Sequence, residues 1–90
     1  MRRVAAFEWA ESNIDHLGRH GVHPEEAEEA CYRKPFILKG KGRLYLIYGR
    51  TRDGRHLLVV LRYLGKGLGR VITARDMTEP ERRLYERRGK

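Results

Sequence analysis

Arg43-Leu44-Tyr45-Leu46-Ile47-Tyr48-Gly49-Arg50 and Arg55-His56-Leu57-Leu58-Val59-Val60-Leu61-Arg62-Tyr63-Leu64 stand on either side of Thr51-Arg52-Asp53-Gly54. Both runs are rich in branched and aromatic side chains, which suit a pleated, half-buried surface. Asp53-Gly54 between them is a strong hairpin signal, because that pair accepts the positive φ angles of a tight turn. In an ideal strand Arg43, Tyr45, Ile47 and Gly49 point one way, and Leu44, Leu46, Tyr48 and Arg50 point the other. Leu57 to Leu61 is apolar at every position, so both faces of that strand need cover and it belongs at the centre of a sheet.

Working outward, Phe36-Ile37-Leu38 precedes this pair and Arg70 to Arg75 follows it. The separators Gly40-Lys41-Gly42 and Gly65-Lys66-Gly67-Leu68-Gly69 make both runs hairpin neighbours as well. Upstream the period lengthens. Ala10 to His20 reads as a helix with Ile14 and Leu17 on one side, near Trp9. His20-Gly21-Val22 stops it, the glycine taking the left-handed position and the valine folding back. Pro24, Glu25 and Glu26 open a second helix, with Val22 stapled onto Ala27. Ala27, Ala30 and Cys31 form its apolar stripe, and it should end before Lys34-Pro35. Thr78-Glu79-Pro80-Glu81 is a capping box that opens a last helix, Glu79 to about Arg88. Val4 to Trp9 makes a short first strand. The expected fold is α+β, with two N-terminal helices, a four-stranded antiparallel sheet and one C-terminal helix.

Ninety residues, 36% charged and 40% hydrophobic, suit a single domain over residues 1–90 rather than a disordered tail or a repeat array. No stretch approaches the ~18–20 consecutive apolar residues of a membrane span. After Met1-Arg2-Arg3, Glu8 interrupts the apolar run before a signal-peptide core forms. Cys31 is the one cysteine, which excludes an internal disulfide and fits a reducing, cytoplasmic setting. Its plainest role is as a small core residue.

Twenty Lys and Arg against twelve Asp and Glu give a net charge of +8, and the charge is segregated. Residues 1–32 carry three basic and seven acidic side chains, whereas residues 33–75 carry twelve basic ones and only Asp53. A net −4 therefore stands against a net +11. That separation points to an acidic face and a basic face, the latter suited to a polyanion. His16 and His20 have i, i+4 spacing, which can bring two imidazoles to one metal, but no third ligand completes a set, so no metal or other cofactor is expected. No phosphate loop or nucleophile elbow is present. What remains is arginine interleaved with tyrosine on the sheet: Arg43, Tyr48, Arg50, Arg55, Arg62, Arg70 and Arg75. Guanidinium holds phosphate through paired hydrogen bonds, and tyrosine can stack on an unpaired base. RNA cleaved by its own 2′-OH needs neither a protein nucleophile nor a metal, only geometry, charge neutralisation and a weak acid or base. A ribonuclease and a simple binding surface are equally compatible with these residues.

Phe7-Glu8-Trp9, Asn13 and His20-Gly21-Val22 followed by Glu25-Glu26-Ala27 resemble the opening of BrnT-type toxins. Gly49-Arg50-Thr51, Asp53-Gly54-Arg55, and Val71-Ile72-Thr73-Ala74-Arg75 match that family's middle and end, and Thr78, Glu81, Arg82 and Tyr85 fit its closing helix. The interval from Trp9 to Asn13 is about one helical turn shorter than in typical members, as in a side branch. The resemblance implies a RelE-like fold, a metal-independent ribonuclease that blocks translation, and a ribbon-helix-helix antitoxin as partner, with operator DNA reached only through that antitoxin. It implies Arg50 and Arg75 on the scissile phosphate, Arg43 as a weaker third cation, and His20 as acid or base, its alternative being a structural brace of the turn between the helices. Arg55, Arg62, Arg70 and Tyr48 would contact RNA, and Arg82 and Tyr85 on the last helix would either contact RNA or pack. The alternative is a non-catalytic member that binds nucleic acid or protein on the same scaffold.

Overall fold

A computed structural model describes residues 4–88, so Met1-Arg2-Arg3 lies outside the described residues. The quoted stretch forms β3 (Leu44–Arg50) and β4 (His56–Gly65), paired antiparallel from Leu44↔Arg62 to Arg50↔His56. Their turn is wider than a two-residue one. Thr51 N donates to Arg55 O (2.9 Å) and Gly54 N to Thr51 O (3.0 Å), while the buried Thr51 hydroxyl accepts from Arg55 N (3.0 Å). Only Gly54, at φ 91°, takes the left-handed conformation expected of the Asp-Gly pair. β4 then runs through the middle of the sheet. Leu57, Val59 and Leu61 are fully buried on one face and Leu58 nearly so on the other.

β5 (Leu68–Asp76) follows β4 through a two-residue turn, Lys66-Gly67, with φ of 54° and 78°. The expected five-residue connection is therefore mostly strand. β2 (Phe36–Lys39) pairs antiparallel with β3 at the other side. The principal correction concerns β1 (Ala6–Glu8), which lies parallel beside β5 through Ala6↔Leu68, Phe7↔Gly69 and Glu8↔Arg70. The sheet is five-stranded and mixed, in the order β1-β5-β4-β3-β2, rather than four-stranded and antiparallel. β1 leads into two helices that must cover the sheet, so it rejoins by a crossover and not a hairpin.

α1 (Glu11–Arg19) and α2 (Pro24–Tyr32) cover one face. Val22 N donates to Leu17 O (3.1 Å) across Gly21, at φ 68°, as the helix-stop motif requires. α1 leans on the part of β5 that β1 leaves without a strand neighbour: Asn13 Nδ2 donates to Val71 O (3.2 Å) and His16 Nε2 lies 3.1 Å from Thr73 Oγ1. Only Leu17 of this helix reaches the core, and Ile14, expected beside it, is exposed. α2 sits directly on β3. A Cβ at Gly49 would stand 2.0 Å from Ala30 O, so only glycine permits the contact. Cys31 packs against this core, and burial, with Glu28 nearby, pushes its thiol up to about 12. α3 (Glu79–Arg88) covers part of the other face, where Tyr85 meets Tyr48 and Leu58. None of the helices among the described residues is long and apolar enough to cross a membrane.

Candidate nucleic-acid interface

Strand alternation sorts the basic residues into two layers. Ile47 and Gly49 of β3 face α1 and α2, so Tyr48 and Arg50 face α3. Register then brings His56 opposite Arg50, and Leu58 opposite both Tyr48 and Arg75. α3 closes over this patch. The Tyr85 ring meets the His56 ring edge-on, with centroids 5.7 Å apart. Arg82, one turn along from Thr78, is exposed on the same helix and close enough to act electrostatically on His56.

His56 is the residue that sequence reasoning missed. Among the described residues its Nε2 is buried with no hydrogen-bond partner. Burial, then the Arg82 and Arg50 guanidinium groups, pulls its pKa below the ordinary histidine value, and Glu86 only partly offsets them. The signal was available, because a hairpin turning at Thr51 to Arg55 must pair Arg50 with His56. Arg50 itself is exposed and makes no ion pair among the described residues. Its guanidinium lies along the turn, 3.2 Å from where a Gly54 Cβ would stand.

Arg75 is on this face but is already held. Its two terminal nitrogens donate to the two carboxylate oxygens of Glu81, at 2.8 and 3.0 Å. Glu81 also accepts from Thr78 N (2.8 Å), so the residue that caps α3 also fixes Arg75. Arg75 and the Thr78 amide hold the Glu81 carboxyl down at about 2. A phosphate would have to displace or share with that carboxylate to reach Arg75.

The other expected contacts are scattered. Arg43 precedes β3 and Arg50 ends it, and ~3.3 Å per strand residue puts roughly 23 Å between them, too far to share one phosphate. Arg62 pairs with Leu44 at that distant end, and the Arg70 guanidinium there is ion-paired with Glu8. Arg55 turns to the helix layer. It donates to Asp76 (2.7 and 3.2 Å), Glu26 (3.1 Å) and Gly21 O (2.7 Å), tying the α1–α2 turn to β5. His20 closes α1 in that same layer, with its ring 5.5 Å from His16, and is not brought to Arg50 or Arg75. Tyr48, expected to contact RNA, and Tyr85, for which packing was the equal alternative, are 6% and 7% exposed and serve as core. The face thus brings Arg50 and Arg82 to His56, sets Arg75 on the same side against Glu81 and near Tyr48, and leaves Arg43, Arg55, Arg62, Arg70 and His20 elsewhere. Among the described residues, no three His, Cys, Asp or Glu side chains are grouped to hold a metal ion. No family model matches the chain, and no curated protein matches it.

Proposed function

We propose that the α3-side face binds single-stranded RNA and that the protein is a RelE-like, BrnT-type toxin that cleaves it without metal. The observation that carries this reading is the arginine cluster, Arg50 and Arg82 around the unbonded His56, beside a third arginine held by a displaceable carboxylate. In the reaction the 2′-hydroxyl of the bound nucleotide gives up its proton and attacks the adjacent phosphorus, the bond to the 5′-oxygen breaks, and that leaving oxygen takes up a proton. The products are a cyclic phosphate and a 5′-hydroxyl. Arg50 and Arg75 would offset the charge that builds on the phosphoryl oxygens. His56 is the titratable group beside them and takes the role assigned from sequence to His20. On this reading the protein works in the cytoplasm, a ribbon-helix-helix antitoxin neutralises it, and operator DNA is met only through that partner.

The separation of His20 from the arginines favours one competing account, a non-catalytic RNA-binding protein on the same scaffold. Induced expression in a bacterium, with translation and RNA integrity followed over time, separates the two. Arrest of translation with cut RNA, and cleavage by purified protein in excess EDTA, are expected of the toxin. RNA binding without cleavage in either setting would leave only the binder.

A further inference from the structure

The large apolar side chains left in water gather at one place. Tyr32, Ile37 and Leu38 are three of the four that are exposed among the described residues, and the fourth, Ile14, is on α1. Tyr32 ends α2, while Ile37 and Leu38 are neighbours on β2, the last strand of the sheet. Register puts Ile37 on the helix side of the sheet and Leu38 on the other, so a surface that meets β2 edge-on touches both. On the Ile37 side the apolar surface continues as a groove of about 470 Å³, whose walls include Val4, Tyr32, Pro35 and Ile47 together with Lys34.

The charge around these residues has one sign. Residues 33–43 carry Arg33, Lys34, Lys39, Lys41 and Arg43 and no acid. All five are exposed, and none is in an ion pair among the described residues. The nearest acids along the chain are engaged elsewhere: Glu28 accepts from Trp9 Nε1 (2.7 Å) and Glu29 from Arg52 N (3.0 Å). Exposed aliphatic and aromatic groups set among free cations suit a surface that offers anions outside and hydrocarbon beneath. RNA offers the anions alone. A second copy of this chain would set two such cationic segments against each other. A bilayer with acidic headgroups offers both, and contact at its surface does not call for the long apolar helix that the described residues lack.

We propose that the β2 edge and the end of α2 form a docking surface for an anionic lipid bilayer. Ile37, Leu38 and the Tyr32 ring enter at the level of the headgroups and first acyl carbons, while Arg33, Lys34, Lys39, Lys41 and Arg43 meet the phosphates. This site is separate from the arginine cluster and does not depend on the RNA reading.

The test uses the full chain and vesicles of phosphatidylcholine, alone or mixed with phosphatidylglycerol, pelleted at physiological salt. The protein should pellet with the mixed vesicles and stay in solution with phosphatidylcholine alone. Two double charge reversals, which lower the net charge of +8 by the same amount, separate a site from general attraction. Lys34→Glu, Lys39→Glu should weaken binding at least roughly tenfold, whereas Arg19→Glu, Arg88→Glu, on α1 and α3, should change it by less than about threefold. Ile37→Ser, Leu38→Ser keeps every charge and should also weaken binding roughly tenfold. Unfolding temperatures show which variants are folded. In the parent itself, bicelles of the mixed lipids carrying a spin-labelled lipid should broaden the Ile37 and Leu38 amide signals in NMR spectra and spare those of α1. Failure to bind the mixed vesicles overturns the proposal, as does equal binding to phosphatidylcholine alone. So does an equal loss from the two charge reversals, or full binding by the folded serine variant. Spared Ile37 and Leu38 signals overturn it even where a variant fails to fold. Affinity for a short single-stranded RNA that falls with Lys34→Glu, Lys39→Glu while vesicle binding does not would give the edge to RNA and overturn it too.

Discussion

Replacing Glu81 by glutamine isolates one charge. Gln keeps an oxygen to accept from Thr78 N, so the cap of α3 survives, while Arg75 loses its carboxylate. The gap between about 2 and the ordinary 4.5 for this carboxyl sets a ceiling, at ~1.4 kcal/mol per tenfold change in proton affinity, of roughly 3.4 kcal/mol. The Arg75 side chain is 40% exposed, so solvent screens the pair and about 1–2 kcal/mol is expected. In a domain of this size that lowers the unfolding temperature by roughly 5–15 °C. A carboxyl held low contributes stability that is complete above its unfolded value and fades as pH falls through its folded one. The difference between parent and Glu81→Gln should therefore be full at pH 6–7, shrink below about 4.5 and vanish near 2. RNA binding should move the opposite way, since the variant releases Arg75 to phosphate. Thermal unfolding across pH and titration with a short single-stranded RNA measure both. A variant as stable as the parent at pH 7, or a gap that persists at pH 2, would refute the electrostatic account. Weaker RNA binding would refute the role given to Arg75.

Gly49→Ala should cost more than about 3 kcal/mol, because the added methyl meets the Ala30 carbonyl; chemical denaturation or loss of soluble protein reports it. Arg55→Ala should lower stability by about 1–2 kcal/mol by untying Asp76, Glu26 and Gly21, and leave RNA affinity close to the parent's once folding is corrected for. Arg50→Ala should lose ~1.5–3 kcal/mol of transition-state stabilisation, a roughly 10- to 150-fold drop in cleavage, whereas Arg88→Ala at the end of α3 should change only salt dependence. His56→Leu removes a buried nitrogen without a partner, so it should raise the unfolding temperature while lowering cleavage. A variant both less stable and fully active would contradict both parts of that last expectation.

Local rules carried the reading of this chain as far as local rules reach. The helix stop at Gly21, the capping box at Thr78 and the strand Leu57 to Leu61 each depend on neighbours within one turn or one strand, and each stands in the structure, with Val60 alone of that strand segment half-buried. The pairing of β1 with β5 joins residues some sixty positions apart, and no turn residue encodes it. Ile14 failed as a core residue because α1 leans on the margin of β5, which narrows its buried stripe to Leu17. At the site, Arg50 was legible as a strand end. The fates of Arg55 and Arg75 were not, because they depend on acids that helix periodicity marks as solvated. Glu26 and Glu81 both proved to be anchors for arginine.

That difference among the arginines bears on function more than the net charge does. Arg55, Arg70 and Arg75 each sit against a carboxylate, so three of the eight arginines of residues 33–75 are answered within the fold. Around His56 the pattern reverses. Two guanidinium groups act on an imidazole whose Nε2 is buried and unbonded, and protonating it would add a third cation to the same corner. A histidine held low in this way costs stability as pH falls below the ordinary value near 6.5, because the unfolded chain then binds the proton more readily. Leucine or valine at position 56 would complete the hydrophobic run of β4 and remove that cost. Sequences that depart from local consistency tend to do so where they act on something else. The departure here adjoins an unpaired Arg50 and an Arg75 held by a single exchangeable carboxylate. That is the physical reason for seating a phosphate at this corner rather than at the more numerous arginines along the rest of the sheet.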